Sequence, residues 1–270
     1  MNKEWYLIVD GVPRKGAWNM AVDDHLFHSL GDNPSTSLRF YQWERPTVSL
    51  GYSQSAQRAV NLEFCRKNGI DIVRRMTGGK LVLHHQEVTY SICSSDAAVF
   101  SEKLMDSYRM ISEALICGLE RMGIRCSLAG ETPSFYARGR LPCFSHPARD
   151  EIEVEGKKIV GSAQKRTKNR FIQHGSIPLI KEEKLLRAVS LMDQEESILN
   201  MTSLSELRGE GISFDLIVDR LIAGFSEYFQ VEFCPKAFSD EEMDSIRKIQ
   251  KERYSNPEWN FGKGVSIFYE

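Results

Sequence analysis

The chain has 270 residues, 41% hydrophobic and 27% charged, with a formal net charge of -2. That length suits a sizeable core, the mixture is that of a soluble globular protein, and the near-neutral balance excludes a bulk nucleic-acid footprint. No apolar run approaches the roughly 18 residues that span a bilayer, and the start MNKEWYLIVDG lacks the basic region, apolar core and cleavage site of a signal peptide. A cytoplasmic protein with no nucleic-acid or membrane partner is expected.

Trp5 to Val9 reads as a strand, and Gly16 to Leu30 has helical spacing, with Ala17, Met20, Ala21, Asp24 and Leu26 near successive turns. SLRFYQW and TVSLGY read as two strands joined by a turn at Arg45-Pro46, followed by a short helix over Asn61 to Lys67 and a strand DIVRR. Thr77-Gly78-Gly79 is a turn, and LVLHHQEVTYSIC is strand-rich. Lys103 to Met122 is the longest helical pattern, with Met105, Ile111, Leu115, Leu119 and Met122 as its apolar face. Residues 127–148 carry Gly130, Pro133, Gly139, Pro142 and Pro147 without clean periodicity, and loops of that length are usually functional or disordered. EIEVEGKKIVGSAQK alternates on both sides of Glu155-Gly156, a hairpin signal, and RFIQHGSIPLI continues the sheet. From Lys181 onward the pattern is mainly helical, with helices expected at 215–229 and 240–254. The expectation is one α/β domain over 1–270, its main sheet built before about residue 180 and residues 181–270 forming a helical C-terminal part.

Six cysteines, Cys65, Cys93, Cys117, Cys126, Cys143 and Cys234, form no CxxC pair, so no structural metal is expected, and a reducing compartment disfavours a disulfide framework. A small buried hydrophobe is the ordinary role of such a cysteine. Cys143 stands apart because it sits between Pro142 and Phe144 in the irregular stretch, with Lys157 and Lys158 beyond the next turn. A lysine beside a thiol favours the nucleophilic thiolate. Lys158 does this only if its strand faces a cleft; Lys157 fits a solvated turn position. Arg74 and Arg75, next to the double glycine, can offer charge to a phosphate or carboxylate, or can be surface arginines on a hairpin turn. Gly161, Ser162 and Ala163 let a ligand approach a strand closely, or mark a bulge or tight sheet packing. His174 in QHGS can be a base or a satisfied structural residue.

Taken together, RRMTGGKLVLHHQEVTYS, PCFSHPARDEIEVEGKKIVGSAQKR and FIQHGSIPL, in this order and spacing, resemble the lipoate-protein ligase and octanoyltransferase family, and AWNMAVDDHL and ERYSNPEWNFGKG extend the likeness nearly end to end. Within it the likeness is greatest to the Gram-positive type of octanoyltransferase. The resemblance implies an α/β (α+β) domain of the biotin/lipoate protein ligase type, with a mixed sheet flanked by helices beside an acyl tunnel. It implies transfer of octanoyl from acyl carrier protein to a lysine of a lipoyl domain, such as the glycine cleavage H protein, in lipoate biosynthesis, with no cofactor. Carried over by motif, Cys143 takes the acyl group as a thioester and Lys158 activates it. Arg75, Gly78, Gly79, Leu81, Val82, Leu83, His84, Gly161, Ser162, Ala163, His174, Gly175 and Ser176 line the pocket. Two departures stand out: His85 where many members have Asp, and Lys80 where many ligases have a third glycine.

The chemistry is consistent with this. Thioester-to-thiol exchange is nearly isoenergetic, so a cysteine route needs no ATP, and an eight-carbon chain gains roughly 0.8 kcal/mol per buried CH₂. The rivals are an ATP-dependent lipoate-protein ligase, which shares RRxxGG and GKK…GSA but needs no Cys143; an amidotransferase moving octanoyl or lipoyl between lipoyl domains; a non-catalytic lipoyl-domain binder; and a Cys-His hydrolase using His146, which is too close in sequence to Cys143 for a usual dyad. Both protein substrates implied are acidic, so any steering falls to local patches such as Arg138, Arg140, Lys165, Arg166 and Lys168.

Overall fold

The computed structural model describes residues 4–31, 33–130, 149–191, 200–209 and 211–262. The first strand, β1 (Glu4–Val9), leads through α1 (Gly16–His28) to a parallel β2 (Ser35–Tyr41), with Trp5 opposite Thr36 and Leu7 opposite Leu38. A parallel return needs a crossover long enough to carry a helix, and α1 supplies it. β3 (Thr47–Leu50), α2 (Ala56–Ala59), α3 (Leu62–Lys67), β4 (Asp71–Arg74) and β5 (Val82–His84) follow. β3 and β2 do not pair across the Arg45-Pro46 turn. β3 enters a separate three-stranded sheet of order β4-β3-β5.

β6 (Glu87–Ser94) returns to the main sheet, antiparallel to β2. After α4 (Leu104–Glu120), β7 (Ser127–Leu128), β8 (Ile152–Val154) and β9 (Lys157–Lys158) make a small antiparallel sheet. Its hairpin turn places Glu155 at φ 51° and Gly156 at φ 75°, the left-handed pair that a two-residue turn requires. β10 (Gly161–Arg166) and β11 (Phe171–Pro178) then complete one side of a mixed six-stranded sheet of order β10-β11-β6-β2-β1-β12. β12 is Cys234–Pro235, parallel to β1. The main sheet is therefore not finished by residue 180: a two-residue strand in the C-terminal part closes its far edge.

The remaining helices are α5 (Glu183–Val189), α6 (Leu204–Arg208), α7 (Phe214–Phe229), α8 (Asp240–Ile249), a π-helical turn at Gln250–Tyr254 and α9 (Pro257–Phe261). One face of the main sheet packs on α4 and α7 through Leu38, Phe40, Tyr90, Ile92, Leu115 and Phe225. The two helices approach closely at Gly118 and Gly224, where a Cβ on Gly224 would stand 2.3 Å from the Gly118 nitrogen. Met105 does not join that face. It lies in the first turn of α4, beyond the sheet, and is exposed. The opposite face of the sheet carries α1 and α8, with Met20, Val22, Phe27 and Ile246 between them.

Candidate functional site

A pocket of about 360 Å³, open solvent at its mouth included, lies where α1, the 75–82 turn, β5 and the β10–β11 pair converge. It gathers Arg75, Val82, His84, Gly161, Ser162, Ala163, His174, Gly175 and Ser176, together with Met20, Tyr41, Ser49 and Thr89. Gly78, Gly79, Leu81 and Leu83 are not among them. Leu81 is in the core of the small sheet. Leu83 alternates to the other side of β5 from Val82 and His84, where it shares a depression with His85 and Glu182.

Two glycines explain how the walls come together. Gly79, at φ 93°, has no Cβ to strike the Arg75 guanidinium, which would be 2.8 Å away. At Gly175 a Cβ would meet the Ser162 hydroxyl at 2.5 Å and the Tyr90 ring at 2.6 Å. Gly78 contributes its carbonyl, which accepts from Arg75 at 3.0 Å.

The polar side chains around the pocket are bonded mainly to one another. Arg75 donates to the Ser49 hydroxyl (3.0 Å), Ser49 lies 2.7 Å from His84 Nε2, and His84 Nδ1 lies 2.7 Å from Glu87. Glu87 also accepts from Trp43, Thr89 and Ser176, while the Trp43 ring stacks on His84 at 4.0 Å. A second array runs through Asp23, which accepts from Arg39 (2.9 Å), Ser91 (2.8 Å) and Tyr41 (3.2 Å) and lies 3.1 Å from His174 Nδ1. His174 Nε2 faces the Thr77 hydroxyl at 2.7 Å. Burial holds the His174 imidazole below its ordinary value despite Asp23. Burial pushes Asp23 the other way, but the His174 hydrogen bond, Arg39 and Ser91 outweigh it and keep the carboxyl below its ordinary value. With Arg39 already answering the Asp23 charge, we take His174 as neutral, Nδ1–H donating to Asp23 and Nε2 accepting from Thr77. Both ring nitrogens are then engaged, which makes it a structural member of the wall rather than a free base.

Lys158 does turn inward. Its side chain is 0% exposed, its Nζ lies 2.6 Å from Glu151 Oε2, and Glu151 is itself buried. β9 is pinned on its other side by the Asn200 carbonyl, which accepts from Lys158 N at 3.0 Å, and by Thr202 N, which donates to the Lys158 carbonyl at 2.9 Å. Lys157 is exposed. Cys143 lies outside the described residues, as do His146, Arg138 and Arg140. Arg74 is no anion ligand: its guanidinium donates to the carbonyls of Gly51, Tyr52, Gln54, Trp259 and Asn260, so it ties α9 to β4. His85 lies 2.8 Å from Glu182, away from the pocket.

A model of the lipoyl protein ligase A/B catalytic domain matches residues 15–226. The chain belongs to this family. Among its relatives are the octanoyltransferase LipM of Carboxydothermus hydrogenoformans, 36% identical over 269 residues that cover 96% of this chain and 99% of that protein, and that of Lysinibacillus sphaericus, 34% identical with the same coverage. A crystal structure of lipoate-protein ligase A bound with ATP superposes with a TM-score of 0.81 at 25% identity, covering 97% of this chain and 99% of the other. A candidate lipoate protein ligase from T. acidophilum with bound lipoic acid gives 0.80 at 25% identity, over 97% and 100%. The mixed sheet flanked by helices expected from the resemblance is thus the observed fold. Among the described residues, no helix is long and apolar enough to cross a membrane.

The lining residues that the sequence reading missed are Met20, Tyr41, Ser49 and Thr89, and behind them Asp23, Arg39, Thr77 and Glu87. Their signal was available only as charge in apolar company: Asp23 in AVDDHLF and Arg39 in SLRFY.

Proposed function

We propose that this protein is an octanoyltransferase of lipoate assembly, treating residues 1–270 as one catalytic domain. It takes octanoyl from acyl carrier protein, holds it on Cys143 as a thioester, and passes it to the lysine of a lipoyl domain such as the glycine cleavage H protein. Near-full-length similarity to octanoyltransferases supports the activity. The observation that carries the chemistry is Lys158, a wholly buried ammonium paired with Glu151 on the strand leading into the pocket wall.

In the first step the Cys143 thiolate attacks the thioester carbonyl. A new C–S bond forms, and the carrier's sulfur leaves and takes a proton from the Lys158 ammonium. In the second, the acceptor amine attacks the Cys143 thioester, gives its proton to the now neutral Lys158, and the Cys143 thiolate leaves as the amide forms. Positioned proton transfer of this kind contributes about 10²–10⁴-fold, so Lys158→Met is expected to lose that much in kcat. The pocket wall presents mostly apolar surface because its polar groups are bonded to one another, which suits an alkyl chain.

The likeness to an ATP-bound ligase favours one second reading, ATP-dependent ligation of the free acid. Intact-protein mass after mixing with octanoyl-acyl carrier protein, without ATP, decides between them. A hydroxylamine-labile octanoyl adduct on the wild type and none on Cys143→Ser is expected. Acyl transfer only with free acid, ATP and Mg²⁺ would replace the thioester route by the ligase.

A further inference from the structure

β10 is an edge strand of the six-stranded sheet, and its alternate residues Ser162, Gln164 and Arg166 share one face. All three are half-buried. They form a continuous polar strip against α4. The Ser162 hydroxyl lies 2.7 Å from Tyr90 Oη. Gln164 Nε2 donates to Ser107 Oγ at 3.2 Å, and Arg166 Nη2 donates to the same oxygen at 2.8 Å. The strip begins at the pocket wall and ends in a second pocket of about 290 Å³ lined by Arg166, Lys168, Arg170, Ser94, Asp96 and Glu102.

That far end has cations to spare. Among the described residues no carboxylate lies within ion-pair distance of Lys165, Arg166, Lys168 or Arg170. Lys165 sits over the Phe27 ring, and Arg170 donates to the carbonyls of Phe27 and His28. Among the described residues the buried Nε–H of Arg166 has no hydrogen-bond partner, although its guanidinium is partly desolvated against Phe171, and an unanswered buried donor is costly. Asp96, the buried acid of the pocket lining, uses one oxygen to accept from the Ala98 N–H. The exposed Glu102 acts on Arg166 only through its field. A row of amide-compatible side chains ending in an underused guanidinium is complementary to a chain of amides ending in a phosphate.

We propose that this strip binds the 4′-phosphopantetheine arm on which the octanoyl thioester arrives, with Arg166 and Lys168 receiving the phosphate. The proposal rests on the transfer reading above and names the part of the donor that the protein grips. The lengths agree. The arm has about thirteen bonds from phosphorus to sulfur, roughly 15 Å at the extension of a polypeptide, and Ser162 to Arg166 spans about 13 Å of strand. A phosphate held in a charge-assisted hydrogen bond fixes the sulfur at the pocket end.

The test compares octanoyl-4′-phosphopantetheine with octanoyl-pantetheine as donors, for the wild type, Arg166→Gln, the exposed Lys168→Gln and a remote surface control, Lys248→Gln. The wild type should prefer the phosphorylated donor by about tenfold or more in kcat/KM, as one charged hydrogen bond implies. Arg166→Gln should bring the ratio close to one, Lys168→Gln should lower it by less, and Lys248→Gln should leave it alone. If Arg166→Gln does not fold, Lys168→Gln carries the test. Binding of free 4′-phosphopantetheine, by calorimetry, separates the two readings. Binding lost in Arg166→Gln without any octanoyl transfer by the wild type would keep the strip and sink the transferase. Transfer with a ratio of one in the wild type, or a ratio that Arg166→Gln does not change, would keep the transferase and overturn the strip. Octanoyl-coenzyme A against octanoyl-acyl carrier protein, compared in the same variants, shows which carrier of the arm the strip serves.

Discussion

The two faces of the six-stranded sheet are both buried, yet they are held together differently. Toward α4 and α7 the strands present Leu38, Phe40, Tyr90 and Ile92, packed on Leu115, Leu119, Leu221 and Phe225. Toward α1 the same strands present Arg39, Tyr41, Ser91 and His174, which converge on Asp23. The first face gains its stability from apolar area removed from water, at roughly 25 cal/mol per Å². The second also buries apolar area, through Ile8, Cys93 and Ile172 against α1, but has in addition to satisfy its buried donors and acceptors. In return it gives the pocket a wall whose polar atoms already have partners. Such a wall is rigid and can line an alkyl-binding slot without holding water in it. A sheet with one conventional core face and one networked face can therefore stay stable while placing charge beside its binding site.

The sharpest way to break this division is at its hub. Asp23→Ala leaves Arg39 with Asp10 and the oxygens of Asn19 and removes the acceptor for Tyr41, Ser91 and His174, so a loss of about 3–5 kcal/mol is expected, as for other broken buried pairs. Denaturant unfolding would measure it, and a loss under 1 kcal/mol would mean that the network is incidental. The matching change on the other face is Leu115→Ala, which should cost about 2–5 kcal/mol by transfer and cavity terms. At a temperature where both proteins are folded, its kcat/KM should stay that of the wild type. A changed KM would show that the apolar face also shapes the pocket.

The same contrast explains what could be read in advance. Alternation in SLRFYQW predicts a strand, and β2 is one. The polar positions of a period-two pattern normally face solvent. Here α1 covers them, and nothing local to the strand announces that a helix carrying Asp23 will lie across it. The hairpin at Glu155-Gly156 was legible because its turn chemistry is local. So was the inward lysine beside it, once the resemblance had singled it out. Leu83 was placed on the pocket wall because motif carry-over takes a run of consecutive residues, whereas a strand shows a pocket only every second one. The two-residue β12 was illegible for a plain reason: Cys234 and Pro235 carry no periodicity, and only the position of β1 makes them a strand.

The smallest effect is expected from pH, and its sign follows from the networked face. Burial holds His174 below the ordinary imidazole value near 6.5. The groups that face it are Asp23, which favours its protonation, and Arg75 and His84, which oppose it. On unfolding, His174 returns to its ordinary value. Above that value neither state carries the proton and the residue has no effect. As pH falls below about 6.5 the unfolded chain binds a proton that the folded one refuses, so stability declines with acidification. His25, also depressed by burial at the α1–α8 contact, adds to the same window. Asp23 acts lower: its folded value lies below the ordinary 3.8, so the stability it supplies is complete above that range and is lost only as pH drops through it. His174→Gln keeps a donor for Asp23 and an acceptor for Thr77 but cannot titrate. Its unfolding free energy should therefore fall less between pH 7 and pH 5 than that of the wild type, with the remaining slope due to His25 and to groups outside the pocket. Equal slopes in the two proteins would mean that His174 is protonated in the folded state and that the array carries an imidazolium between Asp23 and Thr77. The Thr77 hydroxyl would then accept rather than donate, and the wall of the pocket would carry a charge that the neutral reading denies it.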